Sequence, residues 1–251
     1  MSRIKKCFEI FNNNFKTIFK NIKINLYSNL IPGSGLGSSA STAVSLVSAI
    51  NEYYHLNLDR NKISEISYEL EKEIHGKPSG IDNTTCTFGN IIYFKNGKFQ
   101  IIKLDQDFNF LIVYTGIEHN TKIAIQKILD FKNKCPKKAE SIIKEIGHIT
   151  DEAITELKNY NYEKLGELMI KNQKLLSILG VSNDIIKKII NLSIKNGAYG
   201  AKLTGAGLGG CVIILGDNLD KLEQIFLKNN FTTLKTSIDK YGVKVEEFKF
   251  N

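Results

Sequence analysis

Apolar residues near the start of the chain (Ile4, Phe8, Phe11, Phe15 and Ile18) fall three and four positions apart, which predicts an amphipathic helix over residues 4–19. Ile22, Ile24 and Leu26 then alternate with polar residues, the pattern of a strand exposed on one face. A short Pro/Gly loop follows, and residues 38–54, rich in Ala, Val and Leu at helical spacing, read as a second helix. Asp59 stands where an N-cap belongs, ahead of a stripe formed by Ile63, Ile66, Leu70 and Ile74. Residues 76–83 are dense in turn formers and read as a loop or the irregular start of a helix. Segments 91–94 and 99–104 flank Asn96-Gly97, a strong hairpin signal, and residues 110–114 form a continuous apolar run expected as a buried strand. The pattern is helical from 122 to 196, with breaks near Pro136, 159–161 and 180–182; Ser182 is the expected N-cap of the last helix and Gly197 its C′ glycine. The chain then reads strand (199–203), glycine loop (204–210), strand (211–215), helix (219–228) and strand-like segments. These elements describe a mixed α+β protein in two halves, 1–106 and 107–251.

Composition narrows the function classes. The 251 residues are enough to bury a real core, and no run approaches the ~18–20 consecutive apolar residues of a membrane span. Residues 1–6 are charged but lead into no uninterrupted apolar segment, so neither a signal peptide nor a membrane partner is expected, and the expected location is cytoplasmic. Cys7, Cys86, Cys135 and Cys211 are scattered and form no CxxC pair, which argues against a disulfide framework or a cysteine metal site. The net charge of +8 raises the question of nucleic acid, but Arg3 and Arg60 are the only arginines among 34 basic residues. Specific phosphate and base recognition favours the planar guanidinium fork, and the lysines are spread along helical segments as solvated faces, so no nucleic-acid partner is expected.

Three segments carry candidate chemistry. The first is Pro32, Gly33, Ser34, Gly35, Leu36, Gly37, Ser38 and Ser39, leading into a helix. Glycines let backbone amides approach an anion, a helix N-terminus adds about half a positive charge, and serine hydroxyls can bind phosphate oxygens or a magnesium ion. It is not a Walker A loop, and on its own it also fits a tight strand-to-helix connection. The second segment runs from Glu71 through His75 and Ser79 to Asp82 and Asn83. A carboxylate on a helix end and another on the following loop can converge on one cavity, one holding magnesium and the other accepting a hydroxyl proton. Taken singly, Glu71 also fits a solvated helix face and Asp82 a turn residue. The third segment, Lys202 to Cys211, holds Gly205, Ala206, Gly207, Gly209 and Gly210, too many glycines for an ordinary hairpin. They suggest backbone packed against a ligand or against the first loop.

The order PGSGLGSS, HGKPSGIDN, KLTGAGLGGC resembles the second conserved motif, the catalytic segment and the third conserved motif of the GHMP kinases. The middle segment resembles the mevalonate kinases and not the galactokinases, homoserine kinases or phosphomevalonate kinases, and the resemblance covers about residues 22–216. It implies a GHMP kinase fold: a ribosomal S5 domain 2-like N-terminal domain, here truncated, and a ferredoxin-like C-terminal domain. It further implies transfer of the ATP γ-phosphate to the 5-hydroxyl of mevalonate, with Mg2+, in isoprenoid precursor biosynthesis. By the same resemblance Asp82 is the catalytic carboxylate, and Ser39 and Glu71 are magnesium ligands. Pro32 to Ser39 and Gly205, Ala206 and Gly207 hold ATP, while His75, Ser79, Thr121 and Gly205 lie on the substrate side. Two positions depart from the pattern: family members often have arginine where His119 stands, and Leu208 replaces a usual glycine.

The family's first motif, a PGK- or PGR-like segment ending in GEH that supplies a lysine near the catalytic carboxylate, has no counterpart in residues 1–30. The resemblance therefore leaves three forms open: a truncated reading frame, one half of a split enzyme completed by an N-terminal fragment, or a degenerate homologue. A homodimer is also compatible. On this reading the chain alone binds Mg·ATP weakly and turns over poorly or not at all, and supplying the first motif restores activity. The rival functions are another small-molecule kinase of the superfamily and a nucleotide-binding module without turnover.

Overall fold

Four helices and a hairpin build the first of two units in the computed structural model, which describes residues 2–15, 22–31, 33–76, 78–95 and 97–246. This unit comprises Met1–Asn29, Gly37–Gln106 and Ile238–Asn251. Its helices are α1 (Ser2–Phe15), α2 (Ser38–Tyr53), α3 (Arg60–His75) and α4 (Ile81–Phe88). The stripe Ile63, Ile66, Leu70 of α3 packs against Ala43, Val44, Val47 and Ile50 of α2 and against Cys7 and Phe11 of α1. Each large apolar side chain fully buried here contributes about 1.5–3 kcal/mol. Asp59 caps α3 as its position predicts, accepting from the Lys62 amide at 2.8 Å. Asn83 ties α4 to α3, donating through Nδ2 to both the carbonyl and the hydroxyl of Ser64 at 3.0 and 2.9 Å.

The hairpin pairs β1 (Ile91–Lys95) with β2 (Lys98–Ile102), Lys95 opposite Lys98, so the turn is the expected two residues. Its Asn96 lies outside the described residues, as does Ile18 of the first expected helix. Residues 22–29 depart from expectation. They form no strand and belong to neither of the described sheets. Alternation specifies a two-faced surface, whereas a ladder also needs a neighbour, and no short-range pattern supplies that.

The second unit, Leu30–Leu36 with Asp107–Ser237, is built on an antiparallel sheet in the order β4-β5-β3-β6. The strands are β3 (Asn109–Tyr114), β4 (Gly200–Leu203), β5 (Cys211–Leu215) and β6 (Thr232–Ser237). Helices α5 (Thr121–Lys134), α6 (Pro136–Lys158), α7 (Tyr162–Ile178) and α8 (Asp184–Lys195) lie between β3 and β4, and α9 (Leu219–Lys228) between β5 and β6. Each crossover skips one position and leaves room for an antiparallel strand, which is the ferredoxin-like arrangement. Leu111, Val113, Ala201, Leu203, Val212 and Ile214 share one face of the sheet and bury against Ile186 and Ile189 of α8 and Leu222 and Phe226 of α9.

Strand β4 is the sheet's edge, and α7 covers it. The Leu203 amide donates to Gln173 Oε1 at 2.9 Å, which satisfies an edge group that would otherwise invite another chain. Gly166 of α7 lies directly on Tyr199 and Gly200, so close that a Cβ at either glycine would overlap backbone of the other segment. The N-cap of α8 is Asn183, whose carbonyl oxygen accepts from the Ile186 amide at 2.9 Å; the expected cap, Ser182, instead accepts from Gln173 Nε2 at 3.2 Å. Both residue types cap helices, and contact with α7 decides between them. Gly197 takes the C′ position with φ +93°, as expected. No helix among the described residues is long and apolar enough to cross a membrane.

Candidate functional site

The first glycine loop is divided between the units: residues 33–36 belong to the second and Gly37, Ser38 and Ser39 to the first, while Pro32 lies outside the described residues. In the first unit the loop runs into α2, whose N-cap is Gly37 at φ +70°. Helices α3, α5, α7, α8 and α9 are capped by an Asp or Asn side chain, but α2 and α4 begin on glycines that supply none. A helix N-terminus whose cap residue supplies no side-chain acceptor is suited to an anion.

Ser39 stands in the first turn of α2, and its hydroxyl donates to Glu71 Oε1 at 2.6 Å across 32 residues of sequence. Glu71 is on the buried face of α3, only 4% exposed, and not on a solvated one. Asp82 is exposed in the first turn of α4, where the positive end of the helix dipole favours a carboxylate. Of the two readings of residues 76–83, the irregular start of a helix is the one found, with α4 beginning at Ile81.

One turn further along α4, Cys86 reports on both carboxylates. Its thiol is pushed up to about 11, by burial first and then by the charges of Asp82 and Glu71. Burial also pushes Cys7 to about 12 and Cys211 to about 11, whereas Cys135 is exposed. A raised value keeps a thiol protonated and unreactive until the pH approaches it. At pH 8, iodoacetamide is expected to label Cys135 rapidly and the other three slowly, with labelling of Cys86 rising only towards pH 11; peptide mass spectrometry checks this.

Of the expected substrate-side residues, Ser79 is exposed and its hydroxyl accepts from the Ile81 amide at 3.3 Å, helping to start α4. The side chain of His75 lies outside the described residues. Thr121 is the first residue of α5, half-buried behind the N-cap Asn120.

In the second unit the two glycine loops pack backbone against backbone. A Cβ on Gly205 would lie 3.4 Å from the Gly35 carbonyl oxygen, and one on Gly210 would lie 2.7 Å from that of Ser34. Gly33 and Gly35 take φ +67° and +75°, a region open to glycine at no steric cost. Thr115 fastens the second loop, donating its amide and hydroxyl to the Gly210 carbonyl at 2.9 and 2.8 Å. Packing of the third segment against the first loop, one of its two expected roles, is present. Leu208 sits at φ +62°, where a side chain costs about 1–2 kcal/mol. That strain is offset by its amide bond to Val181 at 2.8 Å, a bond from Asn183 Nδ2 to its carbonyl at 3.0 Å, and packing of its side chain on the core.

Sequence reasoning noted His119 only as a departure from the family. In the structure its amide and its imidazole Nδ1 both contact the Gly33 carbonyl, at 2.9 and 2.7 Å. Thr115 was not singled out at all, because a lone threonine at a strand end carries no local signal.

Comparison with known proteins shows the family to which the chain belongs. The family description "GHMP kinases N terminal domain" matches residues 2–90, and "GHMP kinases C terminal" matches residues 153–232. The mevalonate kinase of Pyrococcus abyssi is 32% identical over 234 residues, which cover 91% of this chain and 70% of that protein. The crystal structure of Methanococcus jannaschii mevalonate kinase superposes with a TM-score of 0.78 at 31% identity, covering 94% of this chain and 74% of its own. That of L. major mevalonate kinase in complex with R-mevalonate superposes with a TM-score of 0.81 at 26% identity, covering 96% and 78%. The chain belongs to the GHMP kinase family, among its mevalonate kinases.

Proposed function

We propose that this chain transfers the γ-phosphoryl group of ATP to the 5-hydroxyl of mevalonate, using Mg2+. The observation that carries this reading is the Ser39–Glu71 hydrogen bond at the start of α2, a helix N-terminus without a side-chain cap. The family's dependence on ATP and the mevalonate-bound relative support it.

Ser39 and Glu71 suit magnesium by their chemistry. They are hard oxygen donors, and Mg2+ is held by one or two carboxylates together with substrate phosphates, not by an all-protein cage. Among the described residues no group of three or more His, Cys, Asp and Glu forms such a cage. The ion, when bound, neutralises charge on the phosphates. The glycines of the first loop and the first-turn amides of α2 hold the phosphates of ATP, and Gly205, Ala206 and Gly207 support the loop that does so. Asp82 accepts the proton of the 5-hydroxyl or holds that hydroxyl in line with the γ-phosphorus. Ser79 and Thr121 lie on the substrate side. The division into an N-terminal domain, 1–106, and a C-terminal domain, 107–251, belongs to the same proposal.

A coupled assay of ADP release tests the reading. With a fragment carrying the family's first motif added, turnover is expected with mevalonate, to be abolished by EDTA and restored by Mg2+, and to be absent with galactose, homoserine or phosphomevalonate. Faster turnover with one of those acceptors would overturn the substrate, and ATP binding without turnover on any acceptor in the presence of that fragment would overturn the enzyme assignment.

A further inference from the structure

We propose that His119 is a positioning residue that pins the first glycine loop in its phosphate-binding conformation through the Gly33 carbonyl. This rests on the reading of that loop as the ATP phosphate cradle. Two donors of one residue converge on a single oxygen: the His119 amide at 2.9 Å and Nδ1 at 2.7 Å. A carbonyl oxygen only accepts, so Nδ1 carries the proton and the imidazole is fixed in that form.

The His119 side chain lies alongside two of the glycines. A Cβ at Gly35 would lie 3.8 Å from His119 Nδ1, and one at Gly210 would lie 3.6 Å from His119 Cβ. His119 therefore lies beside both glycine loops and is bonded to the first. Beside it the Glu118 side chain covers Gly33, where a Cβ would lie 3.0 Å from Glu118 Cγ.

The need for such a pin follows from the sequence of the loop. Gly33, Gly35 and Gly37 all sit at positive φ, and each is a residue at which the backbone turns over at little cost. A flipped peptide presents a carbonyl, with its partial negative charge, where the cradle has to present an amide. Two hydrogen bonds to the Gly33 carbonyl select one orientation before the nucleotide arrives, which lowers the ordering cost of binding. The side chain supplies the bond that mutation can remove.

The test uses the whole chain, with Mg·ATP binding followed by calorimetry beside steady-state kinetics. In His119→Ala the dissociation constant and the KM for ATP are expected to rise about fivefold to tenfold, the worth of one net hydrogen bond. The kcat and the KM for mevalonate are expected to stay within about twofold. His119→Asn, whose amide nitrogen can take the place of Nδ1, is expected to restore ATP affinity, whereas His119→Leu of similar bulk is not. A merely structural role would lower the melting temperature of both Ala and Leu variants without this split between ATP and mevalonate. Unchanged ATP affinity in His119→Ala, or an Asn variant as weak as Leu at equal melting temperature, would overturn the proposal alone. Failure of the unaltered chain to bind Mg·ATP would overturn the cradle reading and this proposal with it.

Discussion

Asp82→Asn is expected to lower kcat by about 10²–10⁴-fold, the usual contribution of a positioned general base, while leaving ATP binding and the fold in place. The substitution is nearly isosteric and the residue is exposed, so little packing is at stake. Its position is rigid nonetheless. Asn83 next to it holds two bonds to Ser64, Thr84 donates to the Gly80 carbonyl at 2.7 Å, and Thr87 donates to that of Asn83 at 2.7 Å. What changes is the chemistry, because a carboxamide cannot take the proton of an attacking hydroxyl. Initial rates at saturating ATP and mevalonate, with a thermal melt of each protein, decide the matter. A loss of less than about tenfold would remove Asp82 from the role of base.

The largest expected effect on stability falls far from the acids, at Gly166. An alanine there drives its Cβ into the carbonyl of Tyr199, and Gly200→Ala drives the reciprocal clash into the Gly166 carbonyl. The obstructing atoms are backbone, so no rotamer change relieves them, and α7 has to lift from β4. Overpacking of this kind costs about 1–3 kcal/mol and sometimes more; we expect the upper end, with a fall in melting temperature of about 6–12 °C. Leu203 and Gln173 would part as α7 lifts, exposing the β4 edge and loosening the loop that follows it. Gly147 of α6 is the control. Nothing lies within 4 Å of a Cβ there, and alanine at this exposed helix position is expected to stabilise by about 0.5–1 kcal/mol. Equal effects at Gly147 and Gly166 would contradict the packing argument.

Much of the molecule is legible in its sequence, because the relevant patterns are short. The stripe Ile63, Ile66, Leu70 with its Asp59 cap, the hairpin at Asn96-Gly97 and the C′ glycine at 197 each depend on a few neighbouring residues. The three motifs in order are local as well, and they led to the family that the comparisons show. Other features had two readings until the chain was folded. Glu71 fits a solvated helix face as well as it fits a buried acid, and contact with Ser39, 32 residues away, decides between them. Ser182 and Asn183 are both good caps, and the proximity of Gln173 assigns their roles.

The glycines show the division most clearly. Sequence marks positions 33, 35, 205 and 210 as places where a side chain is unwelcome, without saying what stands opposite. Tertiary structure sets Gly35 against Gly205 and Gly210 against Ser34, and it brings the imidazole of His119 onto the Gly33 carbonyl from 86 positions away. Sequence by itself determined the helices, the turns and the family, since propensity and periodicity act over one or two turns of chain. Only the tertiary structure decided which acid is buried, which edge is covered and which residue pins the loop. Those outcomes depend on exclusion of water and contact between distant segments, and no local pattern encodes either.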